Sequence, residues 1–425
     1  VGKAAVLLVL GAIAIFLVTG KNLSGTSVDA YQNAMNYYNS NVVRNIAIAG
    51  ANIGANYIFL NPPLVNGNPW WNGYTNAITY GGGSFRVTVD STSSIDPITS
   101  SRRLTMKSTA TYGDSTYTVT VIMRPSVFSK FAFYEGVSGA GSSAMWATGD
   151  SIFGPFHVEG TLKTTGSPYF GGPVTAKGKI DSTSNHSHPV FKAGKTTGVS
   201  VPINKDFSSL VNAAKNTNGG QTFTGGTAGT GDTLWLKFKG DSISYHRGRE
   251  STKDTTKLLA TWCPNHAIVL TNSTGVLHVS GVVKGQYTVG SLDSNGTGRG
   301  KVSIDDNITY YNDPRTNPSS TDMLGIVAYQ DIVIADNGMA AGGIFTVQAS
   351  LFSYAGGWSI ENMSTRRLGT LATYGGWIVN TLNASTTYPI TNGLKLNIRY
   401  DNRFATSAPP FFPGTKMYEI LAWYE

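Results

Sequence analysis

The chain has a single cysteine, Cys263, among its 425 residues, so no intramolecular disulfide can form and the fold must rest on its hydrophobic core. A lone Cys of this kind is expected to be buried and structural. Charge is also sparse. Asp, Glu, Lys and Arg together make up 13% of the residues, with a formal net charge of +8. That sign suits an acidic partner such as DNA or a surface polysaccharide, but Lys and Arg are scattered rather than clustered, which argues against nucleic acid as the main partner. There is no Gly-x-Ser-x-Gly elbow, no phosphate-binding loop and no His-Glu-x-x-His pair, so no enzyme class has positive support. Before Leu60 the sole acidic residue is Asp29.

Glycine, at 50 residues, is abundant, with many Ser, Thr and Asn, while aromatic and β-branched residues stay plentiful. This composition excludes disorder and is unlike a cytosolic enzyme; it predicts extracellular β-structure with tight turns. The other conspicuous feature is the run Ala4 to Val18, in which every residue is small or apolar. As a helix, residues 1–20 would span about 30 Å, the thickness of a bilayer core. From Ser27 to Leu60, Val28, Tyr31, Met35, Tyr38, Val42, Ile46, Ala49, Ile53 and Tyr57 recur at threes and fours, predicting a second helical stretch with one apolar face. Between the two lies Thr19 to Thr26, where Gly20, Asn22 and Gly25 weaken a helix.

This N-terminal region resembles the type IV pilins, whose long first helix packs against its counterparts in a filament core. The tracts Asn33 to Tyr38 and Ala47 to Gly54 look more like the large PilX-like subgroup than the short major pilins. The resemblance implies that Val1, Ala4, Ala5, Val6, Leu7, Leu8, Val9, Leu10, Ile13, Ile15, Phe16 and Leu17 are core-packing residues, and that the helix melts near Gly20, Asn22 and Gly25. It also implies prepilin-type processing, in keeping with an apolar segment that follows Val1 without an initiator Met; an ordinary transmembrane anchor is the alternative. One departure matters. Many pilins carry Glu at the fifth position to pair with a neighbour's amine, whereas this chain has Ala5, so register would depend on packing of Ala, Gly, Val and Leu.

Asn61-Pro62-Pro63 ends the helix. Ser84 to Asp90, Arg102 to Tyr112 and Thr116 to Met123 alternate as strands, the last two joined by Gly113-Asp114, predicting an antiparallel meander packed on the helix. From about Met145, short strands separated by Gly, Asn and Asp look like rungs, and Tyr354-Ala-Gly-Gly-Trp is echoed by Tyr374-Gly-Gly-Trp about twenty residues on, a spacing suited to a β-solenoid. Asp206 to Lys215 is expected to be an inserted helix. Phe153 to Gly160, Asp322 to Ala328 and Tyr400 to Phe404 resemble a bacterial domain of uncharacterised function that follows pilin-like N-termini in large envelope proteins.

The expected architecture is therefore α+β, mostly β: a helix over 1–60, an antiparallel β region over 61–144, and a β-solenoid (β-helix) domain over 145–425. His157 and Glu159 share a strand face and are expected to hydrogen-bond within a rung, although a hydrolase could use such a pair. Asn185-His186-Ser187-His188 offers two imidazoles without a third ligand. Asp305, Asp306, Asp313, Arg315, Asp322 and Asp331 fall where turns are expected; they leave calcium open as a cofactor, with none otherwise expected. Sequons at Asn22, Asn185, Asn272, Asn295, Asn307, Asn362 and Asn383 indicate exposure. The expected function is a structural subunit of an extracellular pilus-like filament serving adhesion or surface contact. Its partners would be copies of itself, the inner membrane before assembly, a prepilin peptidase and assembly machinery, and surface glycans. A minor pilin or pseudopilin, and an anchored glycan-active enzyme, are the alternatives.

Overall fold

The computed structural model describes residues 2–62, 70–91, 103–136, 146–181, 187–225, 233–250, 252–293, 299–387 and 389–425. It is α+β and mostly β, with a long N-terminal helix, and divides into two compact units. The first comprises Val1–Ile95, Arg102–Arg124 and Tyr418–Glu425; the second comprises Asp96–Ser101 and Pro125–Met417. The boundary expected at 144/145 thus falls inside the second unit, and the final eight residues belong to the first.

In the first unit, α1 (Gly2–Leu60) packs on a sheet of β1 (Ile78–Tyr80), β2 (Gly83–Asp90), β3 (Leu104–Tyr112), β4 (Ser115–Val127) and the strand Gly414–Tyr424, in that order. β1 to β4 pair as an antiparallel meander, with Tyr112 opposite Ser115 across the Gly113-Asp114 turn. Their inward residues alternate, as the period of a half-buried sheet requires: Phe85, Val87 and Val89, then Leu104, Met106 and Ala110, then Val119, Val121 and Met123. The strand Gly414–Tyr424 was not expected here. Nothing local marks it as the partner of β4, since that pairing is made across most of the chain.

The helix face that the sheet buries overlaps only in part with the one its large apolar residues predict. Val43, Ile46, Ala47, Gly50, Ala51, Gly54, Ala55 and Ile58 are buried; of the predicted face on this covered half, Ile46 is buried, Val42, Ala49 and Tyr57 are half-buried and Ile53 is exposed, while Val28, Tyr31 and Met35 precede the sheet. Close approach explains the choice. A Cβ on Gly50 would lie 2.5 Å from Ser108 Oγ, and one on Gly54 would lie 2.6 Å from Met106 Sδ. Small residues let the helix settle onto β2 and β3 so that dispersion contacts form along its axis.

In the second unit, twenty-one of the described strands pair into one continuous and mainly parallel arrangement. Phe156–Val158 lies between Phe133–Glu135 and Val174–Ala176, and Gly369–Val379 lies between Ile344–Ser353 and Leu394–Tyr400. One antiparallel excursion runs through Leu234–Gly240, Ser242–Arg247 and Thr255–Leu258. Met323–Ala328 is apolar throughout, and Ala267–Thr271 is so up to its final Thr, because both faces are covered. Ile268, Ile326, Leu351 and Trp377 enter one core, while their neighbours Val269, Val327, Phe352 and Ile378 enter another, which α2 (Ser208–Ala214) and Phe412 help to close. The paired Tyr-Gly-Gly-Trp echo does not mark equivalent rungs. Tyr374 faces Gln348, and Trp358 faces Ile332, so the two tryptophans meet edge to face at 5.0 Å from different columns.

Candidate functional site

The helix α1 has two halves with opposite surroundings. From Val43 onward it is seated on the sheet; before that, the chain supplies almost no cover. Leu7, Leu8 and Phe16 are 70%, 76% and 77% exposed, and Val6, Val9, Leu10, Ile13, Ile15 and Leu17 are exposed with them. Ala4 and Ala5 lie on the same uncovered stretch, and no acidic residue stands in the first turn. Val1 lies outside the described residues. Successive helical residues turn by about 100°, so these side chains clothe the whole circumference rather than one stripe. Leaving them in water forgoes roughly 1.5–3 kcal/mol for each large aliphatic side chain, which makes a second apolar environment the natural destination. Among the described residues α1 is the one helix long and apolar enough to cross a membrane.

The joint expected at Gly20, Asn22 and Gly25 is not a break here. The helix runs through it unbroken, and the hydroxyls of Thr19 and Thr26 donate to the carbonyls of Ile15 and Asn22 at 2.7 and 2.9 Å. An isolated helix with no neighbour has nothing to gain from opening its backbone hydrogen bonds. A Cβ at Gly11, Gly20 or Gly25 would meet no atom within 4 Å, in contrast to Gly50 and Gly54. Packing within the chain therefore accounts for the second pair of glycines and not for the first three.

No family model matches the sequence, and no curated protein matches it. Among solved structures, the competence-associated pilin ComZ of Thermus thermophilus aligns over 91% of this chain and 97% of its own, at 14% identity and a TM-score of 0.36. Identity and score are both low, so the chain's own residues must bear the functional reading.

The other residues singled out by sequence are engaged locally. His157 is fully buried, its Nε2 3.1 Å from Glu159 and its Nδ1 2.8 Å from Thr175 Oγ1. Burial raises the Glu159 pKa, but bonds from His157, Ser200, Lys177 and the Val201 N–H outweigh it and hold the carboxyl at about 2. Asp305 and Asp306 stand on the strand Lys301–Tyr310 rather than in turns, because a bulge opposite Val279 and Gly281 accommodates them. Asp305 lies 2.8 Å from His278 Nδ1, Asp306 accepts from Asn337, and Asp313 holds Arg315. Asp322 accepts the N–H of Gly285, and Asp331 that of Gly357. Among the described residues no three His, Cys, Asp or Glu side chains converge as metal ligands. His188 is exposed, and Asn185, His186 and Asn295 lie outside the described residues. Cys263 is buried; its thiol is pushed up to about 11 by desolvation and donates to the Ala267 carbonyl at 3.3 Å.

Sequence reasoning missed the clefts beside α2. One, of about 690 Å³, has Phe207, Leu292 and Asp293 at its floor and Tyr329, Thr271 and Asn272 along its wall. Another, of about 870 Å³, is lined by Asn212, Asn218, Asn265 and Phe411. The available signal was the inserted helix itself, since an insertion between strands creates walls that a regular ladder lacks.

Proposed function

We propose that this chain is a structural subunit of an extracellular type IV pilus-like filament. The observation that carries the reading is the first half of α1: apolar on every side, studded with Ala and Gly, and uncovered by its own chain. In the inner membrane that half would hold the subunit after processing by a prepilin peptidase. The assembly machinery would then transfer it into a core of identical helices. At about 25 cal/mol per Å² of apolar surface, contacts of a few hundred Å² stabilise such a core by several kcal/mol per neighbour before association entropy is subtracted. Head-to-tail contacts are required, because an open heterologous interface propagates whereas a closed one stops.

In this reading Thr19 to Gly25 opens when neighbours replace water around it, since Gly20 and Gly25 lose little by leaving the helix. The parallel ladders of the second unit are turns of a β-solenoid displayed on the outside, where they serve adhesion or surface contact with glycans and perform no catalysis. The absence of an acidic residue in the first turn supports a second reading, a minor pilin or pseudopilin that primes or caps another filament. Electron microscopy of material sheared from producing cells, with mass spectrometry of its main band, tests both. Filaments dominated by this chain support the major subunit; a trace amount supports the minor one; no filament association sinks both.

A further inference from the structure

The cleft of about 690 Å³ beside α2 has the size and composition of a small-ligand site. Its floor is largely apolar, with Phe207 and Leu292 buried in the second core beside the buried carboxylate of Asp293. Its aromatic wall is held in place: Tyr329 meets Tyr354 at 5.3 Å and Phe207 at 6.4 Å between ring centroids. The helical wall is equally fixed. Asn265 Nδ2 and the Thr222 hydroxyl each donate to carbonyls at the end of α2, Ala213 and Ala214, at 2.8 Å. A rigid, pre-formed wall lowers the ordering entropy that binding must overcome.

We infer that this cleft binds a neutral oligosaccharide. A pyranose presents a C–H face and a rim of hydroxyls, each both donor and acceptor. The half-buried ring of Tyr329 answers the first, and Asn272, Thr271, Asp206 and Asp293 answer the second. Formal charge chooses the class. The lining contains two ammonium groups, Lys205 and Lys215, and two carboxylates, Asp206 and Asp293, so a phosphate or uronate gains no net attraction. The inference deepens the surface-contact part of the function proposed above and rests on it, but it is independent of filament assembly.

The test uses the whole chain of residues 1–425 in detergent micelles and saturation-transfer NMR with cellotriose, maltotriose, mannotriose and triacetylchitotriose, and with trigalacturonate as the anionic comparator. At least one neutral trisaccharide should bind at about millimolar or tighter, and Tyr329→Ala should weaken it by about tenfold or more. Tyr329→Phe, which keeps the ring, should stay within about threefold, and Ser208→Trp, at the exposed mouth, should abolish binding without touching the core. The proposal is overturned if no neutral trisaccharide binds, if trigalacturonate alone binds, or if neither Tyr329→Ala nor Ser208→Trp weakens the complex. Filaments of the unaltered chain, seen by microscopy, separate the two readings. Normal filaments without sugar binding sink the cleft alone, and sugar binding without filaments sinks the assembly reading alone.

Discussion

The Glu159 carboxylate accepts the backbone N–H of Val201 at 2.7 Å, tying a strand end to the segment that leads into α2. The same carboxylate also takes His157, Ser200 and Lys177, so one buried acid organises four partners. Glu159→Gln keeps the shape but removes the charge that these donors share. We expect it to lower stability by about 1–3 kcal/mol, read as a fall in the urea midpoint. The folded pKa of about 2 lies below the ordinary 4.5, so this contribution is full above pH 4.5 and is lost as pH falls toward 2. An acid-unfolding curve that does not shift to higher pH in the variant would contradict this role.

Glu135 has the opposite sign. Burial raises its carboxyl to about 7, so it is more comfortable protonated, and its presence favours the fold below pH 4.5 and progressively less as pH rises through 7. Replacing it by Gln should leave stability unchanged near pH 4 and raise it by up to about 3 kcal/mol at pH 8. Thermal melts of both proteins at the two pH values make the comparison; parallel curves would show that Glu135 ionises freely.

The two groups of glycines on α1 should respond in opposite ways. Gly50→Ala places a Cβ 2.5 Å from Ser108 Oγ and 2.6 Å from the Phe85 ring, and overpacking of that kind should destabilise the first unit by about 1–3 kcal/mol. Gly20→Ala with Gly25→Ala enters open space and gains up to about 1 kcal/mol of helix propensity per site. The folded chain should tolerate that double change, while filament yield falls because the segment no longer opens. Circular dichroism and filament counts read the two effects separately.

Leu8→Asp puts a charge on the exposed apolar stretch. Leu8 touches no part of either β-rich unit's core, so denaturant midpoints of those units should not move. Assembly should be abolished, since a carboxylate buried among apolar helices without a partner is expelled. Filaments of normal abundance from Leu8→Asp subunits would remove the helical-core proposal.

The legible parts of the sequence are those whose signal is local. The apolar run to Val18 and the spacing from Ser27 onward locate a helix, Pro62 and Pro63 mark where it stops, and alternation around Phe85, Met106 and Val121 locates three strands. Asp206 to Lys215 likewise contains α2. The buried face of α1 matches the apolar spacing only in part, because large residues dominate a periodicity count whereas the sheet selects small ones for close approach.

What sequence alone determined, then, was the order and type of elements and the uncovered apolar helix, because helix period, strand period and turn residues act over a few positions. Tertiary structure decided the rest. Only folding showed that Gly414–Tyr424 joins the sheet of β4, that Tyr374 faces Gln348 rather than its own echo, and that Tyr329 and Asn272 line one cleft. Strand partners and cleft walls lie far apart along the chain, and the backbone hydrogen bonds that join them are the same for every residue. Their choice is made by the packing of the whole unit.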